Sequence, residues 1–142
     1  MPTRSAQATW NGSLKDGRGD FKGSSGAIGG NYSFGTRFEN SPGTNPEELI
    51  AAAHAGCYSM ALAATLGRNG FEPKQVDTTA KVHLDKGDAG FSITKIDLVT
   101  RVKVDGIEPA KFDELAEDAK RNCPVSKLLS PGAEITLDAT LA

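Results

Sequence analysis

Apolar residues recur at strand spacing near both ends of the chain and at helical spacing in its middle and towards its C-terminus. Near the start, Ala8 and Trp10 alternate with Gln7 and Thr9, and NGSLKDGRGDFKGSSG supplies turn signals with a short strand expected at 20–22. In NYSFGTRFE, alternation predicts a strand with Tyr32, Phe34, Thr36 and Phe38 on one face, and Ser33, Gly35, Arg37 and Glu39 on the other. After Pro73, Val76, Thr78, Ala80, Val82 and Leu84 alternate against charged and polar neighbours. DKGDAG then predicts a hairpin turn. On the return strand the apolar parity changes between Ile93 and Ile96, which predicts a bulge near Thr94 or Lys95.

Between these strands, NSPGTNPEELI reads as a helix start. Asn45 is placed to cap it, Pro46 suits the first helical position, and Glu48 three residues after Asn45 completes a reciprocal capping pattern. A helix is expected over 46–69, ended by Gly70 in the left-handed region with Phe71 packing back. Its middle is apolar on nearly every side and needs cover all round. A second subunit is one way to supply that cover.

Pro109 opens a further helix with Phe112, Leu115, Ala116 and Ala119 at helical spacing, and NCPVSKLL breaks it and starts a short one at Pro124. A strand at 133–141 closes the chain. The order predicts an α+β fold of one domain, 1–142, with largely antiparallel sheet.

Composition narrows the function classes. Sixteen basic and eighteen acidic residues give a net charge of -2 with no basic run, which argues against electrostatic nucleic-acid binding. LIAAAHAGCYSMALAATL carries His54 and is alanine-rich, so it reads as a core helix and not a membrane span. MPTRSAQATWNGSL has no signal-like apolar run, which leads to an expected cytoplasmic, reducing location.

The two cysteines can be inert packing residues, metal ligands or a redox pair. Cys57 sits inside an alanine-rich helix, whereas Cys123 precedes Pro124 at a helix start, where free amides favour a thiolate. Local physics therefore nominates Cys123 as the more reactive sulfur. A zinc site would use Cys57, Cys123, His54 and His83, but no short-range ligand pair such as CxxC or HExxH is present. GAIGG lacks the spacing of a phosphate loop, so no nucleotide or flavin cofactor is expected.

Arg37 can hold a carboxylate such as Glu47 or Glu48 on one edge and offer charge to a thiolate or peroxide on the other. Glu47 and Cys57 are ten residues apart, about 15 Å along a straight helix. Either the helix is interrupted, or Glu47 has a structural role, or a second subunit supplies the carboxylate.

FGTRFE, GTNPEELIAAAHAGCYSMAL, VDTTAKVHLDK, GFSITKIDL and AKRNCPVSKLL together resemble the OsmC/Ohr family of peroxide-reducing proteins, in its OsmC branch. The resemblance implies antiparallel sheets around a central helix in an intertwined homodimer, with two active sites at the subunit boundary. Cys57 is similar to the family's peroxide-attacking cysteine, and Cys123 to its resolving cysteine. Arg37 and Glu47 are similar to its activating arginine and that arginine's carboxylate partner. The resemblance reverses the local preference for Cys123 as attacker. It implies a peroxide substrate, an external dithiol reductant and no cofactor. The rival reading is a redox switch, regulatory or binding, that forms the same disulfide without turnover.

Overall fold

The computed structural model describes all residues, Met1–Ala142, in two compact units, Met1–Leu49 and Ile50–Ala142. In the first unit, β1 (Ala6–Asn11), β2 (Arg18–Gly23) and β3 (Gly29–Tyr32) form an antiparallel meander. Tyr32 packs against Trp10 and Phe21, with ring centroids 5.4 and 5.0 Å away. Gly19 lies between the rings, where an added Cβ would fall 2.6 Å from both Trp10 and Tyr32. A side chain there would push the aromatic stack apart.

The expected strand through NYSFGTRFE is corrected: pairing ends at Tyr32, and Phe34–Phe38 form a short helix, α1. Its cause is local. Ser33 Oγ accepts the Thr36 N–H and Thr36 Oγ1 accepts the Ser33 N–H, a reciprocal cap that closes the first turn. The helix then brings Phe34 and Phe38 together four residues apart, centroids 5.0 Å, so the alternating aromatics were also a helical pair.

Helix α2 is continuous from Pro46 to Arg68. Asn45 Oδ1 accepts the Glu48 N–H at 2.8 Å, as expected, while the Glu48 carboxylate takes the Thr44 hydroxyl instead of returning to the cap. Gly70 has φ +86°, and the Phe71 N–H reaches back to the Leu66 carbonyl, ending the helix as its sequence predicts.

In the second unit, β4 (Pro73–Gly87) and β5 (Gly90–Val104) make a long hairpin closed at Asp88 and Ala89. Its register shifts where His83 pairs with Lys95 and Leu84 with Ile93, leaving Thr94 as the bulged residue and reconciling the two apolar parities. Helices α3 (Pro109–Asn122) and α4 (Pro124–Leu129) precede β6 (Glu134–Leu141), which pairs with β5 in parallel. The sheets are largely antiparallel as expected, with this pair the exception: a strand, helix, strand crossover returns the chain in its original direction.

Tyr58, Leu62 and Leu66 of α2 join Ile96, Leu98 and Val102 of β5 and Phe112, Leu115 and Ala119 of α3 in one core. The opposite face of α2, with Ala52, Ala53, Gly56, Met60 and Ala64, is exposed, Met60 at 76%. The helix is long and apolar enough to cross a membrane, but its buried face is engaged with sheet and helices.

Phe112 is 1% exposed, so F112A should cost about 3–5 kcal/mol in urea unfolding. Asp97 accepts hydrogen bonds from Thr136 and His83, which hold its carboxyl at about 2. That value lies below the unfolded value of about 3.9. Its stabilisation is thus fully present above pH ~4 and lost as pH falls towards 2. The stability gap between wild type and D97N should close over that range, and a gap independent of pH would contradict it.

Candidate active site

Four side chains singled out in the sequence fall into two pairs. In the first unit, Arg37 Nε and Nη2 donate to Glu47 Oε1 at 3.0 and 2.8 Å. Arg37 leaves a helix, not the strand expected for it, and its guanidinium carbon lies 5.3 Å from the Phe38 ring centroid. Glu47 is buried, and its Oε2 has no hydrogen-bond partner within the chain. One edge of the guanidinium is committed to the carboxylate and the other is available to an anion.

The same unit has a cleft of about 220 Å³ lined by Trp10, Leu14, Tyr32, Ser33, Phe34, Arg37 and Phe38. It is aromatic on most sides with one cation at its wall.

In the second unit, Cys57 and Cys123 come together although 66 residues apart. The Cys123 thiol donates to Cys57 Sγ, with 3.1 Å between the sulfurs, and both cysteines are free. Cys57 is half-buried in mid-helix; Cys123 is fully buried at the joint where α3 ends and α4 begins. Forming a disulfide of ~2.05 Å would need an approach of about 1 Å.

Burial pushes the Cys57 thiol up, and the Val125 N–H, donated from the first turn of α4, partly offsets this. The neighbouring Cys123 raises it further. The amides that the sequence suggested would favour a thiolate at Cys123 thus serve Cys57 at least through Val125. This contribution was invisible in the sequence, because it depends on α4 folding across α2.

His54, weighed in the sequence only as a zinc ligand, and Ser126 and Tyr58, not singled out there, make two further buried contacts between α2 and the helices on either side of Cys123. His54 Nε2 is 2.7 Å from Ser126 Oγ, and both side chains are buried. Burial lowers the His54 pKa and keeps the ring neutral. The Tyr58 hydroxyl donates to the Ala116 carbonyl of α3 at 3.1 Å. A shared spacing was the available signal: His54 precedes Cys57 by three residues, and Ser126 follows Cys123 by three. The candidate zinc ligands do not converge, since His54 faces Ser126 while His83 bonds Asp97 on the sheet.

The profile of the OsmC-like protein family matches residues 38–138. The chain belongs to the OsmC-like family. It is 53% identical over 139 residues to the peroxiredoxin OsmC of Escherichia coli, covering 97% of this chain and 96% of that protein. It is 33% identical over 97 residues to the organic hydroperoxide resistance protein OhrA of Bacillus subtilis, covering 67% of this chain and 66% of that one. Among solved structures, the organic hydroperoxide resistance protein OhrB of Bacillus subtilis superposes with a TM-score of 0.72 at 25% identity, covering 95% and 97% of the two chains. The α+β, OsmC/Ohr-like fold expected from the sequence is the fold observed.

The Val125 amide offers a direct check. V125P removes the donor at a first-turn position where proline is tolerated. In a C123S background, alkylation of Cys57 against pH should then titrate at higher pH than in C123S alone. An unchanged profile would mean that the amide does not support the thiolate.

Proposed function

We propose that this protein is a cofactor-independent thiol peroxidase that reduces organic hydroperoxides and hydrogen peroxide through a Cys57–Cys123 disulfide cycle. The observation that carries the reading is the 3.1 Å separation of two free sulfurs in a chain related to a protein named peroxiredoxin. In the cycle, the Cys57 thiolate attacks one oxygen of the peroxide, the O–O bond breaks, and the departing oxygen leaves as alcohol or water after protonation. Cys57 is left as a sulfenic acid. The Cys123 sulfur displaces its hydroxyl as water, forming the disulfide. An external dithiol then returns both thiols by exchange.

A thiol raised by burial needs a cation to ionise near neutral pH, and Arg37, oriented by Glu47, is our candidate. The same guanidinium would stabilise negative charge on the departing oxygen. Because α2 is unbroken, Glu47 stands about 15 Å along its axis from Cys57 of the same chain. This favours a homodimer in which the Arg37–Glu47 pair of one subunit serves Cys57 of the other. The exposed small-residue face of α2 supports the same assembly, since it lets a second backbone approach closely. The aromatic cleft beside Arg37 suits an alkyl or aryl hydroperoxide.

We read residues 1–142 as one functional domain, because the family match over 38–138 runs across the boundary of the two units. The cytoplasm is the proposed compartment, where a reducing environment keeps the two thiols ready.

The test is steady consumption of cumene hydroperoxide with excess dithiol. Wild type should turn over, C57S should lose at least a hundred-fold, and C123S should react once per site without normal recycling. R37K keeps the charge but loses the planar fork, and should slow the peroxide step about ten-fold or more. One oxidation event in wild type, with no further turnover at excess dithiol, would replace the enzyme by a redox switch. Sedimentation should give a dimer for wild type and a monomer for M60E; a monomeric wild type would remove the shared-site arrangement.

A further inference from the structure

The joint at Cys123 poses a mechanical problem. The backbone there has ψ 122°, so the hydrogen-bond ladder of α3 does not run into α4, and Pro124 has no N–H to bridge the break. On the α3 side the joint is fixed to α2 by the buried Tyr58 hydroxyl on the Ala116 carbonyl. On the α4 side, six residues long, the side chain that is buried is Ser126, and its hydroxyl meets His54. His54, Cys57 and Tyr58 share one face of α2, so the two contacts flank the attacking sulfur along the helix.

We propose that His54 and Ser126 form a positioning pair that holds α4 against α2, sets the gap between Cys57 and Cys123, and thereby governs the rate of disulfide closure. The inference rests on the peroxidase reading for its place in the cycle, but not for the geometry. The pair is two buried side chains joined by one hydrogen bond, His54 Nε2 to Ser126 Oγ at 2.7 Å, while His54 Nδ1 has no partner within the chain. Removing either leaves its partner buried without that bond, which α4 relieves by tilting away from α2. A tilt of about 1 Å is as large as the approach the sulfurs must make. The pair transfers no proton to substrate and touches no reacting atom, so its effect belongs to the capture step: sulfenic acid at Cys57 and thiol at Cys123 becoming disulfide and water.

The experiment separates the two steps in one turnover. One equivalent of cumene hydroperoxide is added to reduced protein, sulfenic acid is trapped with dimedone, and the disulfide is counted by mass against time. In S126A and H54A, disulfide closure should slow at least ten-fold while loss of peroxide changes less than three-fold. S126T, which keeps the hydroxyl, and H54Q, whose amide can donate from a similar position, should close within three-fold of wild type. The H54A/S126A double variant should be no slower than the slower single variant, since both remove one bond.

Closure at the wild-type rate in either single alanine variant overturns the proposal, as does slow closure in all four single variants, because rescue by S126T and H54Q is what a hydrogen bond requires. A parallel series with diamide, which takes the two thiol hydrogens and becomes a hydrazine, reads the same closure without peroxide. A wild type that closes with diamide but ignores peroxide defeats the peroxidase reading, while the variant comparison still decides the role of the pair. A wild type that closes with neither oxidant defeats both.

Discussion

The approach of Cys123 to Cys57 depends on a break between two helices being held against a third. An uninterrupted α3–α4 helix would carry position 123 along its own axis. Instead Pro124 starts a new helix, and Cys123 turns inward at the joint, fully buried, with its sulfur on that of Cys57. The surrounding contacts are compatible with that joint: Tyr58 anchors one side, His54 the other, and the core of Leu62, Leu66, Leu98 and Phe112 fixes the face of α2 from which all three α2 side chains project. Close packing allows little slack in such an arrangement.

The electrostatics pull in a direction the packing alone does not satisfy. Bringing Cys57 into the core raises its thiol pKa, and one backbone amide offers partial compensation. Reactivity at neutral pH then calls for a full positive charge. The Arg37–Glu47 pair is the group proposed for this role, with one edge of the guanidinium tied down by the carboxylate. The proposed dimer draws on three features: the unbroken α2, the unpartnered Glu47 oxygen and the uncovered small-residue face of the helix.

Much of the scaffold is legible in the sequence. Asn45 and Gly70 bracket α2 through local cap chemistry, and the parity change between Ile93 and Ile96 marked the bulge at Thr94. Alternation misled at Phe34 and Phe38, because residues four apart share a face in a helix as well as in a strand, and the Ser33–Thr36 cap decided between them. The parallel pairing of β6 depends on the crossover, which no strand pattern records. For the sulfurs, local reasoning favoured Cys123, family resemblance favoured Cys57, and neither could reveal that the Val125 amide reaches across to Cys57. Contacts 66 and 72 residues apart in sequence exist only once α4 has docked.

Mapping the covalent product tests the central claim most directly. After one equivalent of an organic hydroperoxide, peptide mapping without reduction should recover Cys57 joined to Cys123, and mixing isotopically heavy and light protein should place both peptides on the same chain. Peroxide consumed with no such bond, or a bond joining different chains, would contradict the account.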